Sequence, residues 1–444
     1  MSADTTLPLD VSAPSSTLAD VKVADFVGVF LLGAVMALNE ANFRPPDIES
    51  AALDWQVALK LVVCLGCGFY GLWFLPRTLP LLLNSAGLWA VAFSAWALMT
   101  SLAAVNFGYS FVSAAALWGV LLFAPPVLLQ LGIRRVVMTM IVALLLFLVA
   151  SWATWFVAPE LNGFDPDVAL AADAARFGGL LHPNGTGRLA ATLIALLLVA
   201  GRMDFLRWRT IVPLTGFAAL TLLLTGSRTY ILATVAVGAL AWWSARSSEW
   251  RLIGTSALFV LLGTALLLLV VSPLVSEPDS LLSPFSRSGR ATEIYSMTGR
   301  TYLWEFALEK IGQSPLAGYG YSCERFVIAR EHFWPTRHAH NVLLSAMLAT
   351  GVPGGLLLLG AMLWQGSQAI FRPRLFPDLV LLLVLIGGLA DCPLLPAIPG
   401  ATTLLWLMAL QWRALEGRPE VRAEQSGSRA ENAAEPVRAG NRPA

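Results

Sequence analysis

The chain has 444 residues, 57% of them hydrophobic and 13% charged, with a mean hydropathy of +0.69 and a formal net charge of +1. So few charges cannot clothe a soluble globule of this size, and a near-neutral balance offers no attraction to nucleic acid. The composition is that of an all-α integral membrane protein. Cys64, Cys67, Cys323 and Cys392 form no disulfide framework, and Cys64 and Cys67 lie in an apolar run where thiols behave as small hydrophobes.

In chain order, residues 1–22 hold Asp4, Asp10, Asp20 and Lys22. They lack the basic start of a cleaved leader and read as a cytoplasmic segment. Breaking the apolar runs at charges, prolines and glycines predicts about twelve spans. Nine fall within 23–273: 23–40, 57–75, 81–103, 110–131, 136–157, 187–201, 209–225, 228–244 and 252–273. Three fall within 339–414: 339–364, 377–391 and 400–414. From Thr78 to Ile133 there is no Asp, Glu, Lys, Arg or His, enough chain for a helical hairpin of two crossings of ~20 residues each.

Arginines cluster in alternate connections, at Arg77, at Arg134 and Arg135, at Arg202, Arg207 and Arg209, at Arg246 and Arg251, and at Arg372 and Arg374. The positive-inside rule puts these connections and both termini in the cytoplasm, and the tail at 415–444 reads as disordered. The remaining loops then face the periplasm. Two are long, one around Phe156 to Gly187 and one at 274–338, and together they hold His182, His332, His338 and His340. In the second, "TGRTYLWEFALEKIGQSP" has helical spacing, with Leu303, Phe306, Ala307 and Ile311 in one apolar stripe and Ser314-Pro315 as its stop. Such a helix is expected at the membrane-water boundary. Glycine-rich "SPLAGYGYS" predicts a tight turn after it.

Arg228 in "TGSRTY" sits between two charge-free runs. It either snorkels to lipid phosphates or meets a buried anion, since a guanidinium at helix-centre depth costs ~2.5 to 3.5 kcal/mol. Arg300, with Arg287, Arg290, Arg325, Arg330 and Arg337 around it in sequence, suits a phosphate, because guanidinium donors match phosphate oxygens in pairs; a solvated basic loop is the plainer reading. His340 precedes Asn341 at a helix start, where the dipole favours the neutral imidazole. It serves there as a helix-end hydrogen bonder or as a general base. Secondary candidates are His338, Arg188, His182, Asn184, Lys60 and Asp391. Arg188, His182 and Asn184 either contact an anionic head or make a polar turn. Lys60 either meets phosphate or snorkels, and Asp391 orients an arginine or caps a helix. The tryptophans read first as interfacial belts, with sugar stacking by Trp304 or Trp334 as the minor alternative.

"SRTYIL", "TGRTYLWEFALEKIGQSPLAGYG" and His340-Asn341 followed nine residues later by Gly351-x-x-Gly354 together resemble the O-antigen ligase and polymerase superfamily. The His-Asn to Gly-x-x-Gly spacing is most similar to the ligases of lipopolysaccharide assembly. The motifs cover about Thr225 to Gly355. The resemblance implies a membrane glycosyltransferase of GT-C-like architecture in a bacterial inner membrane, active on the periplasmic side and using no metal, cofactor or nucleotide sugar. It implies undecaprenyl-diphosphate-linked O-antigen as donor and a sugar hydroxyl of lipid A core as acceptor, with membrane lipids around both. It further implies His340 as base and Arg228 and Arg300 as diphosphate ligands. The doublet His338-Ala339-His340 leaves the base to be decided between two imidazoles. Rival readings are an O-antigen polymerase, a protein oligosaccharyltransferase of the same superfamily, and a lipid-linked glycan transporter. A transporter would place paired charges and broken helices near mid-membrane.

Overall fold

The computed structural model describes residues 18–43, 54–158, 176–244, 300–333 and 336–416. The predicted span at 252–273, Arg246, Arg251, Arg287, Arg290, Trp334 and the chain before residue 18 and after residue 416 lie outside the described residues. Every regular element among the described residues is helical. These are α1 Leu18–Ala37, α2 Trp55–Trp73, α3 Leu75–Leu82, α4 Ser85–Thr100, α5 Phe107–Val157, α6 Pro183–Arg202, α7 Trp208–Leu224, α8 Arg228–Trp243, α9 Arg300–Gln313, α10 Glu324–Glu331, α11 Val342–Phe371, α12 Leu375–Ala390 and α13 Ala401–Glu416. A 3₁₀ turn at Ser101–Ala103 follows α4.

Five segments are long and apolar enough to cross a membrane: Trp55–Trp73, Ser85–Ala103, Phe107–Val157, Pro183–Arg202 and Val342–Phe371. Shorter apolar helices cover Val23–Ala37, Trp208–Leu224 and Leu375–Ala390. The chain is a helical, multi-pass membrane protein. Its outer surface has the matching character, with Phe26, Phe69, Trp73, Leu146, Leu223 and Leu363 each more than half exposed. In water so much bare apolar area would associate; in a bilayer, lipid tails cover it. Among the five long spans α6 is the most enclosed, with Leu189 to Leu193 and Leu196 to Leu197 almost wholly buried.

The charge-free stretch after Arg77 does not form a plain hairpin. Asn84 caps α4 by accepting from Ala86 N and Gly87 N, and Asn106 caps α5 by accepting from Tyr109 N, so two side-chain oxygens set where these helices start. At 51 residues α5 would reach about 76 Å if straight, over twice the hydrocarbon thickness. It breaks at Gly132, with φ 72° and ψ 163°, a conformation open to glycine. A one-residue break therefore stands where the arginine pair suggested a loop. Beyond it, Arg135 pairs with Asp25 of α1 at 2.9 Å, and Arg134 lies over the Phe205 ring.

A second break positions the site. Helix α11 is interrupted at Gly351, φ 71° and ψ 175°, which frees backbone groups on either side. The turn after α9 docks into the gap: Val352 N donates to Pro315 O at 2.7 Å and Tyr319 N donates to Leu348 O at 3.0 Å. Trp96 of α4 donates its indole N–H to Thr350 O at 2.7 Å. The approach is so close that a Cβ on Gly351 would fall 2.2 Å from Leu316 O, and one on Gly318 would fall 2.6 Å from Gly351 N. On the turn's other side Val105 N donates to Tyr319 O at 3.0 Å. The glycine-rich turn and the Gly351-x-x-Gly354 motif, separate in sequence, are thus the two halves of one joint.

Helix α9 runs from Arg300 to the stop at Ser314-Pro315, as its spacing predicted, but its stripe does not rest on the membrane surface. Leu303, Ala307 and Ile311 are buried with Ile328, Ala339 and Leu348, with Phe306 packed at the edge. The reason is local: the broken first turns of α11 present Leu344, Met347 and Leu348, and α9 and α10 cover them.

Candidate active site at the start of α11

Residues Thr336 to Asn341 form the approach to α11. Asn341 has extended backbone, and its Oδ1 accepts from Leu343 N at 3.0 Å and Leu344 N at 3.1 Å, so it caps the helix. Ala339 is fully buried; its N–H donates to Ser345 Oγ at 3.0 Å and its carbonyl accepts the Trp304 indole N–H at 3.0 Å. Trp304 is therefore a strut between α9 and the approach to α11. His340 sits at φ 50°, a left-handed conformation that costs a non-glycine residue about 1–2 kcal/mol. These anchors hold it there, and its ring meets the His338 ring edge to face at 4.5 Å.

His338 has both ring nitrogens engaged. Its Nδ1 accepts from His340 N at 3.2 Å, which puts its proton on Nε2, 3.5 Å from Asp391 Oδ1. Asp391, at the end of α12, accepts from Tyr230 O–H at 3.1 Å and from Cys392 N at 2.8 Å, and lies 3.8 Å from Arg188 Nη1. Arg188 of α6 also donates to Glu40 Oε2 at 2.8 Å, and Glu40 Oε1 accepts from Ala401 N at 2.8 Å. One continuous line of hydrogen bonds and charges, Glu40 to Arg188 to Asp391 to His338, thus joins the ends of α1, α6, α12 and α13 to the approach to α11.

Arg300, the first residue of α9, is close enough to both imidazoles to oppose their protonation. Arg228 opens α8, is exposed, and stands two residues before Tyr230, which touches Asp391. Arg176 holds the turn leading to it, donating from Nε to Thr225 O at 2.7 Å and from Nη2 to Asn184 Oδ1 at 2.8 Å. Asn184 is thereby a bridge. His182 caps α6, its Nδ1 accepting from Asn184 N at 3.2 Å. Lys60 does not snorkel: it is 7% exposed, with Nζ 3.4 Å from Asn42 Oδ1 and with Glu40 and Arg337 in electrostatic reach.

Burial lowers both imidazoles from the usual 6.5, His338 with Arg337, Arg188 and Arg300 adding to it and Asp391 opposing, and His340 much further, with His338 and Arg300 adding. Both are neutral at pH 7. Burial works against ionised Asp391, yet Arg188, the Cys392 N–H and the Nε2–H side of His338 hold it below the usual carboxylate range, so the carboxylate is charged. His338, His340 and Asp391 each place one ligand atom within 4.8 Å of the others, a spacing that a cation could bridge. Here Arg188 already supplies the positive charge beside that carboxylate, and the His338 lone pair is taken by a backbone N–H. This donor set fits a proton-handling network better than a metal.

Beside it lies a narrow crevice lined by Arg188, Tyr230, Thr192, Thr402 and apolar side chains of α12 and α13 such as Leu383 and Leu405. Its lining suits hydrocarbon more than phosphate. In the sequence Arg188, His338 and Asp391 stand out only separately, and Glu40, Tyr230 and Arg176 do not stand out as site residues. Glu40, an acid directly after the first apolar run, was the one with a visible signal.

Residues 213–359, about a third of the chain, match the family model for O-antigen ligase. The match includes Arg228, Arg300, His338, His340 and Gly351; Glu40, Arg188 and Asp391, which the fold brings to the same place, lie outside it. No curated protein matches the chain.

Proposed function

We propose that this chain, a membrane protein matching the O-antigen ligase family over residues 213–359, transfers a glycan from undecaprenyl diphosphate to a sugar hydroxyl of lipid A core. In this reading the site faces the periplasm of a bacterial inner membrane, in a GT-C-like arrangement of about twelve spans. The observation that carries it is the edge-to-face pair of neutral imidazoles, His338 and His340, at the approach to α11, with Arg300 of α9 within electrostatic reach.

The chemistry follows from those groups. His340 is the base, because His338 has its lone pair committed to His340 N and its Nε2 proton turned toward Asp391. The acceptor hydroxyl gives its proton to His340 as its oxygen attacks the anomeric carbon. The bond to the diphosphate oxygen breaks, and its electrons leave with the diphosphate, whose charge Arg228 and Arg300 balance. Attack opposite the leaving group inverts the anomeric centre. In the free protein His340 is a weak base, since burial and Arg300 disfavour its protonated form. A bound diphosphate neutralises that guanidinium and brings negative charge of its own, so the imidazole becomes basic when the donor is seated. His338, Asp391, Arg188 and Glu40 position it. Both substrates are lipid-anchored, so sharing a bilayer supplies proximity.

The test is purified protein in bilayers with undecaprenyl-diphosphate glycan, with and without lipid A core. Glycan on lipid A core supports the ligase; elongation of the donor alone would make it a polymerase, and neither product would refute a transferase. His340→Ala should lower the rate by roughly 10²–10⁴ while the protein stays folded; an unimpaired His340→Ala protein would remove the assigned base.

A further inference from the structure

Helix α9 has a second face that the site does not use. With its buried stripe at Leu303, Ala307 and Ile311 and Trp304 bonded to α11, Tyr302 and Phe306 fall together on another side, four residues apart. The end of α10 adds two more rings. Phe306 lies 5.1 Å from His332, His332 4.4 Å from Phe333, and Phe333 6.3 Å from Tyr302. The rings are on the surface: Tyr302 is 58% exposed and Phe333 77%. Lys310 lies over Phe306 and pairs with Glu331, and Glu305 and Glu309 are exposed along the same flank.

We propose that Tyr302, Phe306, His332 and Phe333 form a carbohydrate platform on which sugar rings of the glycan stack, away from the point of transfer. The proposal rests on the glycan-transfer reading above and names a binding site that it leaves unassigned. A sugar ring has an apolar C–H face and a rim of hydroxyls. Aromatic faces attract the first, and charged groups beside the rings bind the second. This surface has both, a row of rings with an ammonium and carboxylates at its edge. The same acids argue against a membrane anchor. An interfacial helix presents an apolar face backed by lysine and arginine, whereas Glu305, Glu309 and Glu331 beside these rings would be repelled by anionic headgroups. The helix that presents the row begins at Arg300, the residue read above as a diphosphate ligand and two positions before Tyr302, so the row adjoins the place where the donor is held. The sugars are those of the donor glycan, since Arg300 of the same helix is assigned to its diphosphate; an effect confined to the acceptor core would overturn that assignment.

The experiment uses the full chain in bilayers with four variants, Tyr302→Ala, Phe333→Ala, Phe333→Leu and Phe333→Trp. Donors carry one or many repeat units, and acceptors carry a complete or truncated core. Removing a ring should raise KM on the order of tenfold for the long form of the donor. It should leave kcat, the short donor and both acceptors unchanged. Phe333→Trp should behave as wild type and Phe333→Leu as the alanine variant. If Leu serves as well as Trp, the residue is an apolar membrane contact and the proposal falls. Equal loss of kcat for short and long substrates would make the rings structural and overturn it too. A second readout needs no transfer: saturation-transfer NMR between the protein and the glycan released from its donor lipid by mild acid. Sugar signals lost in Phe333→Ala would sustain the platform even if the transfer reading failed. Equal signals in wild type and Phe333→Ala, or none in either, would end it.

Discussion

Replacing Gly351 with alanine tests the joint between the loop and α11. The backbone at φ 71° and ψ 175° belongs to a region essentially reserved for glycine, and holding alanine there costs about 1–3 kcal/mol. The new methyl would also fall 2.2 Å from Leu316 O and 2.4 Å from Leu316 C, both backbone atoms that cannot swing aside. The 315–320 turn must back away, which strains the Val352 N to Pro315 O and Tyr319 N to Leu348 O hydrogen bonds, each worth about 0.5–1.5 kcal/mol net. Together the loss is about 2–6 kcal/mol. It is not confined to stability, because retreat of the turn draws α9, and with it Arg300, off His340. The expected result is a lower thermal midpoint in detergent and a fall in transfer rate greater than the loss of folded protein explains. Gly366→Ala, in the same helix with nothing within 4 Å of the added methyl, is the control and should be neutral or stabilising by up to ~1 kcal/mol. A Gly351→Ala protein as stable and active as the Gly366→Ala protein would refute the joint.

Three further outcomes are expected. Both imidazoles are lowered from 6.5, so the acid limb of kcat/KM should lie below that pH; Arg300→Gln removes a positive neighbour, favours protonation and should move the limb to higher pH, read from a pH profile. Glu324, 2% exposed at the start of α10, is pushed up to about 8 by burial from its ordinary 4.5. The folded state therefore keeps a proton that the unfolded chain loses, so stability falls as pH rises from 4.5 to about 8 and stays low above it. The shift, 8 less 4.5, amounts to about 5 kcal/mol. Across pH 5 to 9 the thermal midpoint of wild type should fall relative to that of Glu324→Gln, the difference opening between 4.5 and about 8. Arg188→Ala strips Glu40 and Asp391 of their shared cation and should cost about 3–5 kcal/mol in a denaturation series, with Glu40→Gln added to it recovering part of the loss.

Much of this molecule is written locally. The stripe Leu303, Ala307, Ile311 and the Ser314-Pro315 stop mark α9 because helical period and proline sterics act within a few residues. Asn341 marks the start of α11 for the same reason: a cap needs its own side chain and the next N–H groups and nothing more. Long apolar runs announce membrane helices whatever they pack against. What only the tertiary structure decided is how such pieces meet. The two glycine motifs lock together because α11 breaks where a backbone turn, brought in by α9, can satisfy the freed groups. Asp391 reads in sequence as one acid between apolar runs. It becomes the partner of His338, Arg188 and Tyr230 because helix packing at the bundle's end assembles residues from distant parts of the chain. An enclosed charge is stable only beside its complement, and which complement it finds is a property of packing that no stretch of chain contains by itself.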